Sequence, residues 1–172
     1  MKKLLALVLV LGSVLALTAC GATDKGGEAE ALTVYEAGSI SIALPADMQP
    51  VEVAAGYAFK GEGTSAAVTD LQEVAESPAD ITEDLFSQSA ANNGMSNVTI
   101  SDFANDVAMG GGTAAMATVS GNTSSGSEVT IVMIYYFPSD NQLIVINLLY
   151  GTGAGTALEQ NAQAVIDSIA LN

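Results

Sequence analysis

Two runs dominate the hydropathy pattern: Val129 to Phe137 and Leu143 to Tyr150 are apolar at nearly every position. Pro138-Ser139-Asp140-Asn141 joins them, so they predict an antiparallel hairpin. A strand with one wet face alternates apolar and polar residues, and these do not. Both of their faces must be covered, which makes them central strands between two layers. Shorter β-type runs precede them. Leu32 to Tyr35 and Ser39 to Leu44 flank Ala37-Gly38, and Pro45 ends the second because proline cannot continue a ladder. Val51 to Phe59 predicts a third strand and Lys60-Gly61-Glu62-Gly63 a turn. Ser65 to Val74 alternates as a fourth strand, Asn97 to Phe103 makes a fifth, and Gly110-Gly111-Gly112 turns into a sixth over Thr113 to Val119. Gly121 to Gly126 predicts a loop.

Two segments carry helical spacing instead. Asp80-Ile81-Thr82-Glu83 has the form of a capping box with Asp80 as N-cap, and Ile81, Leu85, Phe86 and Ala90 then share one face. Asn92-Asn93-Gly94 stops that helix. Thr156-Ala157-Leu158-Glu159 is a second capping box, followed by a stripe of Leu158, Ala162, Val165, Ile166 and Ile169.

The amino-terminal 31 residues follow neither pattern. Lys2-Lys3 precede an apolar run from Leu4 to Leu17, then Leu17-Thr18-Ala19-Cys20. The charge order and length are those of an export signal, and the run is too short to span a bilayer comfortably. Leu17-Thr18-Ala19-Cys20 resembles the lipobox of bacterial lipoproteins. The resemblance implies cleavage after residue 19, a diacylglycerol thioether on Cys20, and anchorage at the outer face of the cytoplasmic membrane, or at the outer membrane of a diderm cell. Gly21 to Ala31 is small, polar and glycine-rich, a flexible tether with a reach of roughly 18 Å. The expected organisation is therefore a signal over 1–19, a lipidated cysteine and tether over 20–31, and a single domain over 32–172.

Charge narrows the partners. The chain of 172 residues has a formal net charge of -15, with 19 acids, four Lys and no His or Arg. Removal of the leader takes Lys2 and Lys3 with it, so Lys25 and Lys60 alone face all 19 acids. Nucleic acid is excluded as a partner because phosphate neutralisation needs cations the chain lacks. Anionic lipid headgroups are excluded on the same ground. Solubility accounts for most of the acidity, and attraction of cations or basic partners is the sharper reading. With one cysteine, no intrachain disulfide forms, and the exported body depends on its core.

The order of elements adds a second resemblance. The opening hairpin with Ser39-Ile40-Ser41-Ile42-Ala43-Leu44-Pro45, a middle helix, a meander, the Tyr136-Phe137-Pro138 hairpin and a closing helix with Ile166-Asp167-Ser168-Ile169 resemble the Mog1/PsbP-like group. Over roughly residues 33–171 this resemblance implies an α+β fold, an α/β/α sandwich on an antiparallel central sheet of about six to seven strands covered by helices. It implies roles in binding and assembly and transfers no catalytic residue.

The search for chemistry returns little. Without His, and with the single Cys assigned to lipid, no nucleophile has a base beside it. Lys25 and Lys60 stand in no Ser–Lys motif. Gly110-Gly111-Gly112 lacks the Lys-Ser/Thr of a phosphate loop and reads as a turn. Gly151-Thr152-Gly153-Ala154-Gly155 precedes a helix and has the form of an anion cradle, though repulsion by the net charge makes a simple connection the better reading. Asp70, Glu73, Glu76, Asp80, Glu83 and Asp84 supply carboxylates for acid–base work or, more simply, a solvated surface. Asp102-Phe103-Ala104-Asn105-Asp106 offers oxygen ligands for Ca²⁺ in a loop without EF-hand spacing. Tyr135, Tyr136 and Tyr150 either line a ligand pocket or pack in the core. Thus no catalytic residue, metal ligand or cofactor is expected. The expected function is a membrane-anchored, non-enzymatic binding or assembly module with an envelope protein partner. The alternatives are a carboxylate-dependent cell-envelope hydrolase and a small-ligand or Ca²⁺ carrier.

Overall fold

The computed structural model describes residues 31–172; the leader, Cys20 and all but the last residue of the tether lie outside them. The apolar hairpin is present as β9 (Glu128–Phe137) and β10 (Gln142–Gly151), antiparallel with Ile144 opposite Tyr136 and Ile146 opposite Ile134. It forms the middle of an eight-stranded sheet in the order β3 (Gln49–Val51), β4 (Tyr57–Gly61), β5 (Thr64–Val68), β10, β9, β8 (Gly112–Asn122), β7 (Ser96–Met109). The short β6 (Gln72–Glu73) pairs with β10 beside β5. A three-stranded sheet in the order β1 (Leu32–Ala37), β2 (Ile40–Pro45), β11 (Ala170–Leu171) lies apart from it.

The unbroken apolar runs exist because β9 and β10 serve two cores at once. Side chains alternate across a strand, so Val132, Ile134, Tyr136, Ile144, Ile146 and Leu148 face one way. They pack there against Ile40, Ile42 and Leu44 of β2 and against Leu158, Val165 and Ile166 of α2 (Ala157–Asp167). Ile131, Met133, Tyr135, Phe137, Val145 and Leu149 face the other way, against Ile81, against Phe86 and Ala90 of α1 (Glu83–Asn92), and against Met95. The expected α/β/α sandwich is therefore corrected. The described residues are mostly sheet, and one face is roofed by a second small sheet together with α2, the other by α1 and a 3₁₀ turn at Pro78–Asp80. A single helix of ten or eleven residues is too narrow to cover an eight-stranded face alone.

Other departures have local causes. The runs expected as single strands over 51–59 and 65–74 are each interrupted. Beside β10 the ladder breaks at Thr69, whose hydroxyl donates to the Val145 carbonyl at 3.2 Å and accepts from the Val145 N–H at 2.9 Å. The expected strand over 97–103 is longer, β7, and carries register shifts with left-handed φ at Asn97, Asp102 and Asp106. Bulges of this kind bend an outer strand. Asp80 does not cap α1: Thr82 does so by position, and the Asp80 carboxylate instead accepts from the Ser77 backbone at 2.9 Å and its hydroxyl at 2.7 Å. Gly94 (φ +83°) follows α1 as expected, and Gly110 and Gly111, both at positive φ, form the two-residue turn that joins β7 to β8. None of the described helices is long and apolar enough to cross a membrane.

Candidate functional site

A concavity of about 570 Å³ opens at one end of the large sheet. Three connections build it. The β9–β10 turn contributes Pro138, Ser139, Asp140 and Asn141, the β7–β8 turn contributes Gly111 and Gly112, and the segment from Ala75 to Pro78 closes the third side. The walls hold their shape through short-range bonds: Ser139 donates to Gln142 at 2.6 Å, and the Val74 N–H donates to the Asn141 carbonyl at 2.9 Å. Gly112 is required where it stands, since a Cβ there would fall 2.3 Å from the Phe137 carbonyl oxygen. Phe137, at the end of β9, is among the lining residues but is itself buried in the core on the α1 side. Glu76, Asp106 and Asp140 line it, and no Lys does. The size falls within the about 300–1,000 Å³ usual for small-molecule clefts.

The carboxylates singled out by the sequence are dispersed. Glu76 lines the concavity. Asp70 binds its neighbour's Leu71 N–H at 2.8 Å and accepts from the Ser39 hydroxyl at 3.4 Å. Glu73 lies in β6, and Glu83 and Asp84 occupy the first turn of α1. The two Ser77 bonds hold the Asp80 carboxyl below its usual range. Among the described residues no group of three or more carboxylates is placed to hold a metal ion. The segment from Asp102 to Asp106 is strand, not the loop expected for Ca²⁺ ligation, and Phe103 turns inward to meet the Phe86 ring edge-on at 6.0 Å.

The anion cradle before α2 is filled from within. Gly153 and Gly155 donate to the Glu159 carboxylate at 2.8 and 2.7 Å, while Thr156 caps the helix by accepting from the Glu159 N–H at 3.3 Å. The chain's own side chain supplies the negative charge that the exposed N–H groups attract.

The three tyrosines do not line a common pocket. Tyr135 faces α1 and stacks on Phe86 with ring centroids 4.9 Å apart, whereas Tyr136 faces the opposite layer and donates to the Gly110 carbonyl at 3.0 Å. Burial pushes the Tyr135 phenol up, with an opposing pull from Ser89, and burial also raises Tyr136. Tyr150 is raised by burial and by the charge of Glu159. What sequence reasoning missed is the concavity. Asp106, Asp140 and Glu76 are far apart in the chain, and the pairing of β6 with β10, β10 with β9, β9 with β8 and β8 with β7 brings them to one end.

No family model matches the chain, and no curated protein matches it. Among solved structures the chain is similar to cyanobacterial PsbP (CyanoP) from Synechocystis sp. PCC 6803. The identity is 14%, over 91% of this chain and 99% of that one, with a TM-score of 0.48. It is also similar to LpqN, a protein involved in cell envelope biogenesis of Mycobacterium tuberculosis. There the identity is 16%, over 82% of this chain and 90% of that one, with a TM-score of 0.49. With TM-scores below 0.5, neither likeness carries an argument, and no residue role is taken from them.

Proposed function

We propose that the chain is a non-enzymatic binding or assembly module, held by lipid on Cys20 at the outer face of the cytoplasmic membrane. The observation that carries this reading is the sequence Leu17-Thr18-Ala19-Cys20 at the end of a basic-then-apolar leader. Lipid chains contribute about 0.8 kcal/mol per buried CH₂, so two or more of them hold a protein firmly where one does not. The absence of His and Arg from the whole sequence, and the dispersion of the described carboxylates, support a role in recognition over one in bond-making.

The test compares the full chain with Cys20→Ala in a bacterial host. The full chain is expected in the membrane fraction, with a mass matching cleavage before residue 20 plus acyl chains. The variant is expected without the lipid mass, whether as uncleaved precursor or as released protein. An unmodified Cys20 thiol in the purified full chain would refute the anchor.

A further inference from the structure

The end of α1 holds a chemically reactive dipeptide under restraint. Asn93-Gly94 is the one Asn-Gly pair in the sequence. The side-chain carbonyl carbon of an asparagine is open to attack by the backbone nitrogen of the next residue, and glycine, with no side chain, hinders that attack least. Asn93 is half-buried and Gly94 exposed, and nothing stands within 4 Å of where a Gly94 Cβ would lie. The space for reaction exists, but the folded geometry withholds the reacting groups at three points. Asn93 Nδ2 donates to the Ser89 carbonyl at 2.9 Å. The Gly94 N–H donates to the Ala91 carbonyl at 3.0 Å. The Asn93 ψ of 12° turns the Gly94 nitrogen away from the side chain, whereas ring closure needs that nitrogen and Cβ on the same side of the Cα–C bond. All three restraints belong to the C-terminal cap of α1, so unwinding of its last turn removes them together.

We propose that Asn93 is a site of spontaneous deamidation, gated by the opening of α1 and disruptive to α1 once it has occurred. In the unwound turn the Gly94 nitrogen gives its proton to hydroxide and bonds to Asn93 Cγ. The Cγ–Nδ2 bond breaks, and Nδ2 leaves as ammonia with a proton from water. Water then opens the five-membered imide to aspartate or isoaspartate, and nothing is oxidised or reduced. The product cannot rebuild the cap. A carboxylate replaces the amide donor opposite the Ser89 carbonyl, at the negative end of the helix dipole. α1 carries Glu83 and Asp84 in its first turn and no basic residue in its last, so nothing in that turn offsets the new charge. The reaction therefore runs one way: an opening that closes again leaves no trace, and an opening that reacts leaves α1 easier to open.

Peptide mapping by mass spectrometry measures aspartate and isoaspartate at residue 93 in the full chain, held in neutral detergent and mildly alkaline buffer. Conversion in the folded chain is expected to be at least about tenfold slower than in the chain unfolded by guanidinium. Ala91→Gly loosens α1 and Ala164→Gly loosens α2, both at exposed helical positions. The first is expected to speed conversion in the folded chain about fivefold and the second less than about twofold. Asn93→Asp stands in for the product, and its α1 amides are expected to exchange hydrogen about threefold faster, with β2 and α2 unchanged. Absence of conversion at Asn93 in the unfolded chain, or equal rates in the folded and unfolded chains, would overturn the proposal. Equal acceleration by the two glycine variants would do the same, because the gate would then be global unfolding. Unchanged α1 exchange in Asn93→Asp would overturn the claim that the product disrupts the helix.

Discussion

The two faces of the large sheet are sealed by different parts of the chain. One face is closed by its two ends: β1 and β2 from the beginning, α2 and β11 from the finish, joined where the Ser168 hydroxyl accepts from the Ala43 N–H at 2.8 Å. The other is closed by the middle of the chain, from Val74 through α1 to Phe103. Tyr135 and Tyr136 are adjacent in sequence and belong to opposite cores. The first face depends on contacts between residues more than a hundred positions apart, the second on segments near each other in the chain. One hairpin, apolar at consecutive positions, anchors both.

The comparison can be broken most strongly at Phe86, which is fully buried and touches both Tyr135 and Phe103. Phe86→Ala is expected to cost about 3–5 kcal/mol. Urea unfolding would show the loss, and hydrogen exchange would locate added opening in α1 and β7 ahead of β2 and α2. Simultaneous opening of both faces would mean they form one cooperative unit.

A smaller effect, shared by both faces, is expected from alkali. Burial raises Tyr135 on one face and Tyr136 and Tyr150 on the other above the ordinary phenol value of about 10. The folded chain then holds more protons than the unfolded one above pH 10, so stability is complete below that value and falls as pH rises through the raised values. Tm is expected to drop steeply above pH 10, with phenolate absorbance from these tyrosines appearing together with unfolding. Phenolate absorbance without loss of the fold would show the three hydroxyls to be solvated.

The smallest effect has the opposite sign. Asn147 lies on the α1 side of β10, opposite Met133, and its buried Oδ1 has no hydrogen-bond partner. Asn147→Leu removes an unsatisfied acceptor at similar volume and is expected to stabilise by up to about 1 kcal/mol. A loss in chemical denaturation would mean that ordered water satisfies this amide.

The elements most legible in the sequence are those whose pattern is set by burial alone. β9, β10 and the stripe of α2 stand where their apolar residues predict, because few other arrangements bury Ile134, Ile146 and Val165 together. Turns with forced backbone geometry, Gly94 and Gly110-Gly111, were legible for a local reason. Less legible was anything decided between distant segments. The roofing sheet depends on Ile40 meeting Leu171 across most of the chain. Asp80 has the spacing of a helix cap, yet Ser77, three residues back, captures its carboxylate. The candidate site was illegible because its residues sit in strand ends and connections whose meeting is a property of sheet order, not of any motif.

One consequence follows from the bends in β7. A long, flat outer strand offers its unpaired backbone to any similar strand nearby, and the proposed lipid anchor would hold copies at high density in two dimensions. The left-handed kinks at Asn97, Asp102 and Asp106 interrupt the even spacing of donors and acceptors that such templating needs, and two of the three carry negative charge. Crowded side by side under the proposed anchor, neighbouring molecules would meet a crooked, mutually repelling margin, which disfavours pairing between copies.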